Sequence, residues 1–309
     1  MTLDKVLIIG CSGFVGSSLS YELLARGSIV LGFYNITKPC IKHHNFFAFT
    51  GLIDNKKFKE FLFDNSDLDV IFFLAGSGSV GSAYSNPYYD FQNSAVALSV
   101  VLDSIRQLSL QRIRLVFSSS AAVYGCKFHE PISEDSSLRP ISPYGTHKKI
   151  TEELIFSYVT HYGINASILR FFSIYGPGNK KQLIWDAYLK FKASSHSLFS
   201  GSGQELRDWL FIDDAVCQLI AAAISKDQGV LVVNGSLGFH YSVNTILHEI
   251  STFFPGSSYS FDDRHREGNP INLIGDPAKA RKIFSISSPC DIHRGIHSTL
   301  TWFDMNPTC

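Results

Sequence analysis

The chain has no surplus of charge: 27 lysines and arginines stand against 27 aspartates and glutamates. No overall field therefore recruits nucleic acid or an anionic membrane, and any anionic ligand must be held by individual arginines. Cysteines at paired, metal-type spacing are also missing. The six cysteines, at 11, 40, 126, 217, 290 and 309, are scattered, which reads as reduced thiols in a cytoplasmic protein with neither a disulfide framework nor a metal site. Long hydrophobic runs are absent as well. The first apolar stretch, Val6–Ile9, breaks at Gly10, too soon for a signal-peptide core or a membrane span. What is present is an ordinary globular composition, 45% hydrophobic over 309 residues. That length suits one large α/β domain, or a main domain with a smaller appendage.

Short apolar runs alternate with stretches of helical character. Val6–Ile9, Ile29–Phe33, Phe46–Phe49, Val70–Leu74, Leu115–Ser118 and Ala166–Leu169 read as strands, near-continuously apolar as expected of strands buried on both faces. Between them the pattern predicts helices over Gly13–Arg26, Lys56–Asn65, Asp90–Leu108 and Pro143–Tyr162. This alternation implies right-handed crossovers and a doubly wound parallel sheet of the Rossmann type. The dinucleotide-binding domain is expected over 1–173, with a strand–helix unit at about 208–236 returning to it through Trp209–Ile212 and Ala215–Ile224. Loop signals at Gly176–Pro177–Gly178, Gly201–Ser202–Gly203 and Pro255–Gly256 assign 174–207 and 237–309 to a smaller C-terminal lobe.

The glycine turn Gly10–Cys11–Ser12–Gly13–Phe14–Val15–Gly16 sits between the first strand and the first helix. Glycines there permit a tight turn and let a pyrophosphate approach bare backbone, where the helix N-terminus favours an anion. The acidic residue expected about twenty residues on, for the ribose, is missing. Asn35 stands at that strand end, with Lys38 just beyond; either NAD or NADP remains open.

Ser118–Ser119–Ser120 ends a strand, and Tyr144 and Lys148 follow four apart on one helix face. A phenol has an ordinary pKa of about 10 and is a poor base near neutrality. A nearby ammonium and a positive nicotinamide ring would both draw it down toward a useful range. Ser120 at the carboxyl edge of the sheet would align a sugar oxygen with Tyr144. The three motifs in this order point to a nicotinamide-dependent enzyme.

On these residues the chain resembles the extended short-chain dehydrogenase/reductase family, and within it the nucleotide-sugar epimerases and dehydratases. Phe117–Ser-Ser-Ser-Ala-Ala-Val-Tyr-Gly125 is similar to the serine strand of UDP-galactose 4-epimerases, and Ser142–Pro143–Tyr144–Gly145 with Lys148 to their catalytic helix. The resemblance implies catalytic roles for Ser120, Tyr144 and Lys148. It also implies cofactor contacts at Leu74–Ala75–Gly76, which resembles the fourth strand, and at Asn93, read as a helix-start asparagine. Arg207–Asp208–Trp209 resembles the motif whose arginine grips a nucleotide diphosphate, and Arg266–Glu267–Gly268–Asn269 a second such motif. Ser173 stands where many members carry asparagine. Sugar 4,6-dehydratases place an acidic pair just after the position of Ser120; Ala121–Ala122 can move no proton, which argues against dehydration.

The implied activity is a nucleotide-sugar 4-epimerase working through a 4-keto intermediate, with NAD as cofactor and a nucleoside-diphosphate sugar as partner. A 4-keto-sugar reductase using NADPH would need the same residues, and a non-catalytic dinucleotide-binding protein would need only the glycine loop. By the same resemblance the protein forms a homodimer through a four-helix bundle, with Val96, Val100, Val101 and Ile105 offering apolar surface, although that stripe also suits burial against the sheet. Supply of surface polysaccharide is the pathway guess.

Overall fold

The computed structural model describes residues 3–51, 53–76, 78, 80–125, 130–264, 270–284 and 289–306. Its strands are β1 (Lys5–Ile9), β2 (Ile29–Tyr34), β3 (Phe46–Thr50), β4 (Val70–Phe73), β5 (Arg114–Ser120), β6 (Ala166–Phe171), β7 (Ser173–Tyr175), β8 (His196–Phe199), β9 (Leu206–Phe211), β10 (Val230–Gly235), β11 (His240–Ser242), β12 (Ser258–Phe261) and β13 (Asn272–Leu273). Its helices are α1 (Phe14–Ala25), α2 (Asn55–Asp64), α3 (Val80–Ser85), α4 (Pro87–Phe91), α5 (Ala97–Gln107), α6 (Pro143–Tyr162), α7 (Gln182–Ala193), α8 (Ile212–Ala223), α9 (Val243–Ser251), α10 (Ala278–Phe284) and α11 (Ile292–Met305). A π-helical turn, Gln92–Val96, joins α4 to α5. Among the described residues no helix is long and apolar enough to cross a membrane.

The chain divides into two compact units, one of Met1–Tyr124, Ser137–Arg170 and Val216–Val233, the other of Gly125–Ser136, Phe171–Ala215 and Asn234–Cys309. The first is built on a seven-stranded sheet in the order β10-β6-β5-β4-β1-β2-β3. β1 pairs in parallel with both β2 and β4, β2 with β3, and β4 with β5. The strand order therefore reverses between β1 and β4, and the crevice outside their carboxyl ends is where such sheets bind ligands. Val6–Ile8 and Val70–Phe73 are wholly buried, which is why they read as unbroken apolar runs. Each such side chain contributes about 1.5–3 kcal/mol by leaving water.

The structure corrects several sequence expectations. β3 is an edge strand and is not buried on both faces: Phe47 is 49% exposed, while Phe49 stacks on Phe33 and meets Phe61 of α2 edge-on. The predicted helix Asp90–Leu108 is α4, the π turn and α5 in succession. Within that turn Asn93 Nδ2 bonds the Tyr89 carbonyl at 2.8 Å and Ser94 Oγ the Asp90 carbonyl at 2.6 Å. Side chains that compete for the i−4 carbonyls loosen the helical ladder there. Asn93 therefore sits inside a helical stretch and not at its start, which Asn86 caps by accepting from the Tyr89 N–H. Val101 and Ile105 are fully buried in the core of the first unit, so they offer no surface to a second chain.

The strand expected to return to the large sheet does not. β9 pairs with β7, β11 and β13 in a four-stranded sheet of the second unit. Beside β6 lies β10 instead, a run of apolar residues ending in Asn234–Gly235. The second unit also holds a two-stranded sheet, β12–β8, and an aromatic core in which Trp185 meets Phe303 at 4.7 Å.

Candidate active site

At the carboxyl end of β1 the backbone must turn at once. Gly10 has φ +95°, and a β-carbon there would lie 2.9 Å from the Ala75 nitrogen. A β-carbon on Gly16 would lie 2.1 Å from the Gly10 carbonyl oxygen, so α1 seats directly on the loop only because both residues are glycine. Gly10 and Cys11 donate to the Phe33 carbonyl at 2.9 and 3.3 Å, and Gly13 donates to the Gly10 carbonyl at 3.1 Å. No side chain caps the start of α1 at Gly13, so its first N–H groups face the crevice beside the partly exposed Ser12, Phe14 and Val15. Such an end is a ready site for an anion. The bare turn, uncapped helix and close strand end fit a dinucleotide pyrophosphate.

Asn35 follows β2 and donates from Nδ2 to Asn93 Oδ1 at 3.3 Å and to the Tyr89 hydroxyl at 3.5 Å. Asn35 and Asn93 are thus brought together. At the end of β4, Leu74 donates its N–H to the Ile9 carbonyl at 2.9 Å, and a β-carbon on Gly76 would stand 3.8 Å from Lys148 Nζ. The same strand end therefore borders both the glycine loop and the catalytic helix.

Ser142 caps α6, accepting from the Gly145 N–H at 3.1 Å, and Pro143 occupies its first turn. A β-carbon on Gly145 would lie 2.4 Å from the Ala122 carbonyl oxygen, so this turn presses on the segment after β5. The packing brings Tyr144 near enough to Ser120 for the serine hydroxyl to favour the ionised phenol, and Ser120 Oγ accepts the Ala122 N–H at 3.2 Å. Lys148 Nζ donates to the Ser118 carbonyl at 2.6 Å and lies 5.8 Å from the Tyr144 ring centre. Ser120, Tyr144 and Lys148 form one cluster.

Its electrostatics differ from the sequence expectation. Burial pushes the Tyr144 phenol up to about 12, the Asp90 carboxylate adds to the rise, and the Ser120 hydroxyl opposes it. Burial draws the Lys148 ammonium down to about 8, against support from Asp90 and Glu152. The protein's own groups therefore keep the proton on Tyr144, because desolvation of a phenolate outweighs the serine hydroxyl that favours it.

A buried ion pair and an imidazole–carboxylate contact flank the cluster, and sequence reasoning missed both. Glu152, one turn beyond Lys148 on the same face of α6, takes Arg170 of β6 through Nε at 3.1 and 3.2 Å and Nη2 at 2.8 Å. Ser119 donates to the same carboxylate at 2.5 Å, and Arg170 Nη1 donates to the Tyr124 hydroxyl at 3.0 Å. On the other side His147 Nδ1 and Asp90 Oδ2 lie 2.6 Å apart. The available signals were an arginine inside the apolar run of β6 and the spacing of Tyr144, Lys148 and Glu152.

Of the residues expected from the sequence to meet the substrate, Ser173 and Arg207 belong to the second unit. Ser173 opens β7 in register with Trp209. Arg207 folds against backbone, donating to the carbonyls of Leu206, Pro270 and Ile271 at 2.7, 2.6 and 3.1 Å; burial draws it down to about 10 while Glu205 opposes. Arg266 lies outside the described residues. Among those described, no group of histidine, cysteine or acidic side chains could hold a metal ion.

Asp208, next to Arg207, is fully buried; Ser236 donates to its Oδ2 at 2.5 Å, while Oδ1 has no hydrogen-bond partner among the described residues. Burial raises it to about 6 against its ordinary 3.8. A raised carboxylate binds its proton better folded than unfolded, so its contribution is complete below the unfolded pKa and is lost as pH rises through the folded one. In denaturant melts, Asp208→Asn is therefore expected to gain on wild type by about 2 kcal/mol between about pH 4 and pH 7. A gap that does not change with pH would remove Asp208 as its cause.

Comparison with known proteins agrees with this geometry. The chain is 29% identical to an uncharacterized UDP-glucose epimerase, YtcB, of Bacillus subtilis (strain 168), over 96% of this chain and 97% of that one. It is 24% identical to a UDP-glucuronate 4-epimerase of Thermodesulfobacterium geofontis (strain OPF15), over 97% and 96% of the two chains. A crystal structure of UDP-glucuronic acid 4-epimerase from Bacillus cereus, in complex with UDP-glucuronic acid and NAD, has the same fold: the TM-score is 0.86 at 23% identity, covering 97% of this chain and 99% of that one. Residues 6–234, which include the glycine turn, Ser120, Tyr144 and Lys148, match one family throughout, and the chain belongs to the NAD dependent epimerase/dehydratase family.

Proposed function

We propose that the protein is an NAD-dependent 4-epimerase of nucleoside-diphosphate sugars, with a UDP-hexose the class its relatives' names support. The observation that carries this reading is the clustering of Ser120, Tyr144 and the Lys148 ammonium, 5.8 Å from the Tyr144 ring centre, at the strand end next to the glycine cradle. Gly10, Gly13, Gly16 and the first turn of α1 would hold the pyrophosphate of NAD, with Asn35 and Asn93 toward the ribose. When bound, NAD supplies a reversible hydride acceptor and a positively charged ring.

Tyr144 removes the proton of the sugar 4-hydroxyl and returns it after the 4-keto sugar has presented its other face. Ser120 orients that oxygen through its hydroxyl. Lys148 holds a positive charge beside the phenolate that accepts this proton, which is the state the rest of the pocket resists. Arg207 and Arg266 would take the sugar nucleotide's phosphates, since a guanidinium fork matches them.

The proposal includes a homodimer. α5 and α6 pack together in the first unit, and Val96, Ile150 and Phe156 around them are left exposed. Native mass spectrometry of the purified protein should show two chains, each carrying NAD, and chromatographic separation of the epimers should show conversion of UDP-glucose to UDP-galactose, or of the two UDP-hexuronates, without added cofactor. An empty protein that turns over only with NADPH would replace the epimerase by a 4-keto-sugar reductase.

A further inference from the structure

Asp90 and His147 have no part in the mechanism above, yet they sit against it. Asp90 is 2% exposed on α4, and its partner's side chain is 13% exposed. His147 lies between Tyr144 and Lys148 in the first turns of α6, with its ring edge-on to Phe91 at 5.3 Å. The π turn starts directly after α4, and Ser94 bonds the Asp90 carbonyl, so the irregular turn fixes Asp90 facing the catalytic helix. A buried carboxylate is costly without a proton donor or counter-charge.

We propose that Asp90 and His147 are a positioning pair for the catalytic phenol: the carboxylate anchors the first turn of α6, and the imidazole, donating to it, moderates its field at Tyr144. Among the described residues, the charged and titratable groups around the phenol are Asp90 from α4 and Lys148 from α6, with Glu152 acting on Lys148 and itself paired with Arg170 of β6. Asp90, held 2.6 Å from His147 on the helix that carries Tyr144, opposes ionisation of the phenol. Removing that charge eases ionisation, whereas removing the imidazole hinders it. The role of Tyr144 as base rests on the epimerase reading; the coupling between the pair and the phenol does not.

The test compares the pH profile of kcat/KM in Asp90→Asn, His147→Leu and His147→Gln. The acid limb is expected to move to lower pH in Asp90→Asn by about half a unit, roughly three-fold in rate on that limb. It moves the other way in His147→Leu, while His147→Gln, which keeps an N–H donor, stays near wild type. Loss of kcat in every variant with an unmoved midpoint would mean a structural role alone and overturn the proposal. Should His147→Leu not fold, Asp90→Asn decides. A phenolate absorbance titration, taken as the difference from Tyr144→Phe, gives the same reading without turnover. A downward shift in Asp90→Asn upholds the pair even if no sugar nucleotide is converted, and no shift overturns it.

Discussion

Replacing Tyr144 by phenylalanine is expected to lower kcat by about 10²- to 10⁴-fold while the protein stays folded and keeps its cofactor. The ring remains against the Lys148 ammonium, and only the hydroxyl is lost. Ser120 retains its bond from the Ala122 N–H, so the deletion strands no buried group there. On the proposed role of the phenol at the reacting oxygen, kcat and kcat/KM should fall together and KM should change little. Single-turnover and steady-state rates measured on one preparation separate these quantities. Turnover within a factor of about three of wild type would take the base role from Tyr144.

Glu152→Ala is expected to be the most damaging substitution for stability, costing about 3–5 kcal/mol in urea denaturation. The Arg170 side chain is 4% exposed, and burial disfavours its charge, but the Glu152 hydrogen bonds and field outweigh that and hold its proton affinity above the ordinary value. Without the carboxylate the guanidinium keeps Tyr124 but loses its counter-charge, and Ser119 loses its acceptor. A loss of that size takes a large part of the roughly 5–15 kcal/mol that holds a domain folded. Arg170→Met added to Glu152→Ala should recover much of it, since an apolar replacement of the whole pair strands no charge. If the double variant were no more stable than the single, the uncompensated guanidinium would not be the cause.

The second effect cannot be read from residues near one another in the chain. Glu152 is legible as a third position on the Tyr144–Lys148 face, but its partner enters from β6, and only sheet pairing brings that strand alongside. The same holds for Asp90, which reaches His147 because the chain passes through an irregular π turn. The returning strand was misassigned for a related reason. β9 and β10 are both short apolar runs, and which sheet each joins depends on its neighbours' edges and not on its composition.

The sequence by itself determined the glycine turn, the serine at a strand end and the Tyr144–Lys148 spacing, the features on which the proposed dinucleotide site and acid–base cluster rest. These are local: a turn needs a residue without a β-carbon, and a helix sets two side chains on one face. Tertiary structure alone decided that Asn35 meets Asn93, that Val101 and Ile105 are spent on the protein's own core, and that Tyr144 keeps its proton. Burial decides the last two, and burial is a sum over every element packed around a residue, which no stretch of sequence contains.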